Sequence, residues 1–292
     1  MEIYLAHLVV FLGIYWILAA SLDLALGYGG LFNIGHAAFY GIGAYTSALL
    51  TVHLPVSFLV ALVFGAIFAA VVALLVGVSV FRLHGDYLAL ATLAFGVVVE
   101  GVLRNWTQLT GGSRGLVGIP QVEFFGFTIA GPPAYAGLIV VFAAGVALLL
   151  QRITKSQFGR VVQSIRSDEV AAAALGTNVR EFKLTVLVLS AFFAGVAGAL
   201  YAHYLGSLDP GRFTITESFL IISMIVVGGT TSLRGALIGA AIILLLPEPL
   251  RLLDLSSARL AAIREMLFAL LLLGVLILRP QGIMGKRVLS GR

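Results

Sequence analysis

Apolar runs approaching 20 residues recur from one end of this chain to the other. That is the length a helix needs to cross a hydrocarbon layer roughly 30 Å thick. They fall near Leu5 to Leu24, Leu31 to Val52, Val56 to Val80, Tyr87 to Leu103, Pro133 to Leu150, Leu184 to Tyr204, Ser218 to Thr230, Gly235 to Leu250 and Leu260 to Leu278. The seventh and eighth are short and separated by Gly228-Gly229-Thr230-Thr231-Ser232, so this pair is expected to be broken or re-entrant. The expected fold is all-α: a polytopic transmembrane helical bundle of eight to ten spans over residues 1–292, read as a single domain.

Composition supports this class. The chain is 60% hydrophobic and only 11% charged, with a mean hydropathy of +1.09, which no soluble core accommodates. A formal charge of +5 would suggest a polyanion partner in a soluble protein. Here the bases gather in two segments and read as topology signals, so nucleic acid is excluded as a partner. The absence of cysteine excludes disulfides, iron-sulfur clusters and thiolate chemistry. The start, Met1-Glu2-Ile3-Tyr4, lacks the positive region of a signal peptide, so the first run is expected to stay as a span.

The two basic segments fix an expected orientation. One holds Arg152, Lys155, Arg160, Arg166, Arg180 and Lys183; the other is the tail, with Arg279, Lys286, Arg287 and Arg292. Both are expected in the cytoplasm, which requires an even number of spans between them. Four satisfy that, and five spans before the first segment place the amino terminus outside.

The loop from Arg152 to Lys183 carries the most informative local pattern. Its centre reads Ser167-Asp168-Glu169-Val170-Ala171-Ala172-Ala173-Ala174-Leu175-Gly176. Ser167 suits an N-cap, Asp168 and Glu169 suit the positive end of a helix, and Gly176 suits a left-handed close. Roughly two turns result, with Glu169, Ala172, Ala173 and Gly176 on one face that is small enough to enter a partner's groove. The competing reading is an amphipathic connector attracted to membrane lipid by its bases. Phe158-Gly159-Arg160 and Phe182-Lys183 flank the helix and suit either reading.

Polar residues in or near the spans mark candidate pathway positions: Asp23, Asn33, His36 and Glu100. A charge at the bilayer centre costs about 2.5 to 3.5 kcal/mol on insertion scales, so such groups face the bundle interior. Asp23 and Glu100 are expected near span ends, within reach of water. Structural hydrogen bonding or helix capping is the competing reading, and a proton relay in an ion-coupled secondary transporter is a third. Six of the 34 glycines, Gly27, Gly29, Gly30, Gly35, Gly41 and Gly43, surround the second span. They serve either close helix packing or a discontinuous helix lining a pathway. Asn33 and His36 beside them favour the latter.

On the extracytoplasmic side, Arg114 in the glycine-rich segment Leu109 to Pro120 is a candidate docking contact for a binding protein, or a solvated loop charge. Pro247-Glu248-Pro249 near Arg251 is expected on the same face. Asn105-Trp106-Thr107 matches a glycosylation acceptor, but Trp106 is better read as an interfacial anchor. His7, His36, His53, His84 and His203 show no metal-ligand spacing, and no nucleophile elbow occurs, so no catalytic, cofactor-binding or metal residue is assigned.

At this point the chain resembles a family. Glu169-x-Ala171-Ala172-x-x-x-Gly176 is similar to the Glu-Ala-Ala loop of bacterial ABC importer permeases. Further blocks sharpen the likeness: residues 27–45 (GYGGLFNIGHAAFYGIGAY), Gly85-Asp86-Tyr87, residues 92–96 (TLAFG), 109–116 (LTGGSRGL) and 190–202 (SAFFAGVAGALYA). Together they resemble permeases of branched-chain amino acid ABC importers, of the M type in the H/M pair, from Ser21 to about Gly282. Asp23 stands where that family often has asparagine, Asn33-Ile34 replaces a common Ser-Leu, and Val97 replaces an acid for which Glu100 offers compensation.

The resemblance implies a permease subunit of an ATP-driven importer in the bacterial or archaeal inner membrane. Partners would be a homologous H-type permease, two ABC ATPase subunits, a periplasmic or extracellular solute-binding protein and membrane lipid. Ser167, Asp168, Glu169, Ala171, Ala172, Ala173 and Gly176 would then form the ATPase-coupling helix. The chain has no Gly-x-x-x-x-Gly-Lys-Ser/Thr loop, so ATP and Mg belong to the partner ATPases and no cofactor is expected on this chain. Alternatives are a permease for urea, short amides or another small solute, the secondary transporter, and a non-transporting scaffold.

Overall fold

A computed structural model describes residues 2–80, 86–124, 127–248, 257–279 and 281–284. Gly85, Pro249, Leu250, Arg251, Lys286, Arg287 and Arg292 lie outside the described residues. The elements in chain order are α1 (Glu2–Asp23), extended by a π-helical turn (Leu24–Tyr28), α2 (His36–His53), α3 (Phe58–Val80), α4 (Asp86–Asn105) and the single turn α5 (Thr107–Thr110). Strands β1 (Leu116–Val117), β2 (Glu123–Phe124) and β3 (Phe127–Thr128) precede α6 (Pro132–Lys155), α7 (Gln157–Ser167), α8 (Glu169–Ala174) and α9 (Val179–Leu205). Then come β4 (Ser207–Leu208), α10 (Ile215–Gly228), α11 (Leu233–Leu245) and α12 (Ser257–Leu278).

The protein is an all-α, polytopic membrane bundle; its strands are two-residue pairings in loops. Among the described residues six helical segments are long and apolar enough to cross a membrane, and Leu233–Leu245 and Met266–Val275 are shorter apolar helices. Exposed residues of α3 include Val60, Val63, Phe64, Ile67 and Phe68. An outward surface of this kind suits lipid and not water.

Helix α9 is the hub, packing on α2, α3 and α1. Small residues make this possible: a Cβ on Gly43 would fall 2.3 Å from the Gly195 Cα, so α2 and α9 touch through their backbones. Helix α1 carries α6 on one side and the α10–α11 pair on another.

The second expected span, Leu31 to Val52, becomes helical only from His36. Residues 29–35 are not helical, and α2 starts only at His36, beside Ser21, about two turns before the π-helical turn ends at Tyr28. The irregular stretch is covered by protein: Ile34 donates to Thr92 Oγ1 at 3.1 Å, and a Cβ on Gly35 would fall 2.3 Å from the Thr92 carbonyl oxygen. Non-helical backbone at such depth survives because other elements bury it.

Side-chain contacts mark the two ends of the bundle. At one, Tyr4 bonds Glu248, Tyr204 bonds His7, and β1 pairs with β4. At the other, Arg166 of α7 donates to the Gly27 carbonyl. After α12, Ile283 and Met284 donate to the carbonyls of Val227 and Gly228, at 3.0 and 2.8 Å.

Candidate functional site

Asp23 is fully buried, so the expectation that water reaches it is corrected. The π-helical turn carries the chain past it, and the turn between α10 and α11 covers it. Its carboxylate accepts the N–H of Thr231 at 2.9 Å and of Ser232 at 3.1 Å. Tyr28 donates to the Thr231 carbonyl at 2.9 Å, and Trp16 to the Leu233 carbonyl at 3.1 Å. Ser232 then caps α11 by accepting from Gly235 N. Thus α1 grips the turn joining α10 and α11 through four hydrogen bonds.

Two residues before Asp23, Ser21 Oγ lies 2.9 Å from His36 Nε2, and Ser190 of α9 donates to the Ser21 carbonyl at 2.6 Å. Asn33 Oδ1 accepts from Gly35 N, while Ser218 of α10 accepts from Ala37 N in the first turn of α2. The fold therefore sets His36 beside Ser21 of α1 and Asp23 under the α10–α11 turn, while Asn33 lies in the irregular stretch whose next residues, Ile34 and Gly35, pack on Thr92 of α4. Four buried atoms on this stretch have no hydrogen-bond partner: Asn33 Nδ2, His36 Nδ1, Tyr40 OH and Tyr45 OH. Tyr40 packs edgewise on Phe213, with Tyr201 at 5.4 Å between ring centroids. Asn33, His36, Tyr40 and Tyr45 thus hold polar atoms able to take a further hydrogen bond.

Glu100 is not part of this group. It pairs with Arg104 one turn along α4, at 3.1 Å. Arg114 is exposed at the far end of the bundle, in a segment tied by β1 to the stretch before α10. Trp106, between α4 and α5, is also exposed.

The basic loop folds into two helices. Of these, α7 is amphipathic: Gly159, Val162 and Ile165 are buried while Arg160, Gln163 and Arg166 are exposed. Sequence reasoning missed it, although Phe158, Val162 and Ile165 fall at helical spacing. Ser167 is the last residue of α7 and donates to the Gln163 carbonyl, so the N-cap of α8 is Asp168, whose Oδ1 accepts from Ala171 N at 2.9 Å. The correction has a backbone cause: Asp168 is the extended residue, with φ −154°. Gly176 closes the helix at φ 86°, in the left-handed region.

Within α8, Ala172 is buried against its own chain, so the expectation that it belongs to the face open to a partner is corrected: the one-sided packing of this short helix turns Ala172 inward. Val170, Ala171, Ala173, Ala174, Leu175 and Gly176 are exposed. Glu169 pairs with Lys183 at the start of α9. The flanking phenylalanines stack on each other, Phe158 on Phe182, with centroids 5.5 Å apart and planes at 22°. That contact closes the base of the loop, so α8 stands on a fixed support at one end of the bundle.

A family model described as a branched-chain amino acid transport system permease component matches residues 4–277. The chain belongs to this permease family. This permease is 36% identical to the high-affinity branched-chain amino acid transport system permease protein LivM of Escherichia coli K12, over 93% of its own length and 68% of the relative. It is 30% identical to the corresponding LivH protein of Salmonella typhimurium LT2, over 93% and 91% of the two chains. It is 23% identical to a probable LivM protein of Methanocaldococcus jannaschii, over 97% and 94%. No solved structure gives a significant match to the permease.

Proposed function

We infer that the chain is one membrane subunit of an ATP-driven importer of branched-chain amino acids. The observation that carries this reading is family membership across nearly the whole chain, with LivM-named relatives over 93% of it. Likeness to LivH proteins as well supports a complex in which this permease pairs with a homologue, two ABC ATPases and a solute-binding protein. The transport subunit itself does no catalysis; ATP and Mg are handled by the ATPases.

The nine helices α1–α4, α6 and α9–α12, the shorter α11 included, are read as spans, with α8 as the coupling helix. Ser167, Asp168, Glu169, Ala171, Ala173 and Gly176 form its ATPase contact, and Ala172 packs the helix on its own chain. The loop end of the bundle then faces the cytoplasm, with the amino terminus and Arg114 outside. The shared end of loop 152–183 and residues 283–284 supports this orientation. Asn33 and His36 on the α1–α2 strip are placed beside the path, and their unpartnered polar atoms suit transient hydrogen bonding to a zwitterionic solute. Asp23 supports the wall instead, since both of its oxygens are engaged.

A mild-detergent pull-down from native membranes, with identification of co-purifying chains, tests the reading. Recovery of a P-loop ATPase and a second permease with wild type, and loss of the ATPase with Gly176→Arg, is expected. Recovery of the chain alone in both, while a control ABC complex survives, overturns it in favour of a secondary transporter. Leucine uptake with competing isoleucine, valine, urea and acetamide assigns the solute.

A further inference from the structure

A cavity of about 450 Å³ opens at the loop end of the bundle, between the last turn of α6, α7 and the first turn of α11. Its walls carry Lys155 and Arg234 together with Gln151, Gln163, Thr231 and Ser232. Neither cation is in an ion pair among the described residues. The nearby carboxylate of Asp23 lies behind the α10–α11 turn, with its oxygens accepting the Thr231 and Ser232 N–H groups. Two unpaired cations, neutral hydrogen-bonding side chains and no acid on the wall make an anion receptor. We propose that this cavity binds a phosphate group carried by an anionic ligand.

Charge and shape agree on the chemistry. A guanidinium presents a planar fork of donors that matches phosphate oxygens, and an ammonium adds a compact point charge. Of the leading residues of α11, Leu233 and Arg234 line the cavity, while the Gly235 N–H is taken by the Ser232 cap. Neither Asn33 nor His36 lines this cavity.

Two sources of phosphate fit: a phospholipid headgroup and a soluble phosphate or nucleotide. Helices α6 and α11 both pack on α1, and Leu148 and Leu149 on α6 and Leu237 on α11 are exposed. Apolar surface therefore continues along the helices whose ends form the cavity, which is where acyl chains attached to a bound headgroup would lie.

The test uses the full chain with its co-expressed partner subunits, in nanodiscs of phosphatidylcholine with or without phosphatidylglycerol. Lys155 acetylation, read by mass spectrometry, reports occupancy. Phosphatidylglycerol is expected to slow it several-fold in wild type and not in Arg234→Gln. Native mass spectrometry should show retention of the anionic lipid falling roughly 10- to 30-fold in Lys155→Gln/Arg234→Gln. It should be kept in Lys155→Arg/Arg234→Lys, which separates lost charge from misfolding, and in the control Arg152→Gln.

Protection by inorganic phosphate or ATP in phosphatidylcholine alone would assign the pocket to a soluble phosphate and still support the proposal. Equal labelling and lipid retention under every condition would overturn it. Protection that appears only when the ATPase subunit is present, with no response to lipid or phosphate, would also overturn it by assigning the two cations to a protein contact.

Discussion

Asp23 at the end of α1 accepts the backbone N–H of Thr231, 208 residues later, at 2.9 Å and that of Ser232 at 3.1 Å. One carboxylate thus fixes the turn of the α10–α11 hairpin to the first span. A buried donor left without its acceptor costs about 1–3 kcal/mol. Asp23→Leu strands two of them and is expected to lower thermal stability in detergent markedly. Asp23→Asn keeps one accepting oxygen and should lose clearly less, which a melting comparison of the two variants checks.

Phe158 and Phe182 hold the base of the loop by stacking. A double-mutant cycle with alanine should return a coupling of about 0.5–1.5 kcal/mol beyond the area each ring buries. Either single substitution is also expected to increase proteolysis between Arg166 and Arg180. Unchanged cleavage would show that α8 keeps its position without the stack.

Gly176 sits at φ 86° with open space where a side chain would project. Gly176→Ala therefore meets backbone strain of about 1–2 kcal/mol and no clash. The chain should remain in the membrane while leucine uptake falls. Gly176→Asn, which tolerates the left-handed region better, should retain more uptake than alanine.

Gly43 carries a different constraint. A Cβ there meets the Gly195 backbone, so no side-chain rotation relieves it. Gly43→Leu is expected to separate α2 from α9 and remove the chain from the membrane fraction, since overpacking costs about 1–3 kcal/mol even where neighbours adjust. Normal expression would mean that these helices can move apart.

The Glu169–Lys183 pair lies at the surface, with side chains 45% and 21% exposed. Glu169→Gln should change stability by less than about 1 kcal/mol. Loss of ATPase co-purification with that variant, at unchanged melting temperature, would locate the effect in the contact and not in the fold.

The helical runs were legible because hydrophobic length is a local property: α3 (Phe58–Val80) falls within the expected Val56 to Val80, α4 (Asp86–Asn105) slightly exceeds the expected Tyr87 to Leu103, and α9 starts at Val179, ahead of the expected Leu184. The small-residue helix and its glycine close were legible for the same reason, being set by neighbours in sequence. The N-cap was displaced from Ser167 to Asp168 because α7 runs one residue further than a loop reading allows. No local pattern could have shown that Asp23 is dry, since the residues that cover it lie more than 200 positions away.

The sequence by itself determined the membrane class, the approximate places of the apolar helices and the family, because the apolar lengths, clustered bases and motif blocks each reside in contiguous residues. Only the tertiary structure decided which polar groups meet. Asp23 reaches the Thr231 turn, His36 reaches Ser21, Glu100 turns to Arg104, and Lys155 and Arg234 line one cavity. Those pairings follow from how helices pack side by side, and apolar periodicity carries no record of neighbours across a bundle.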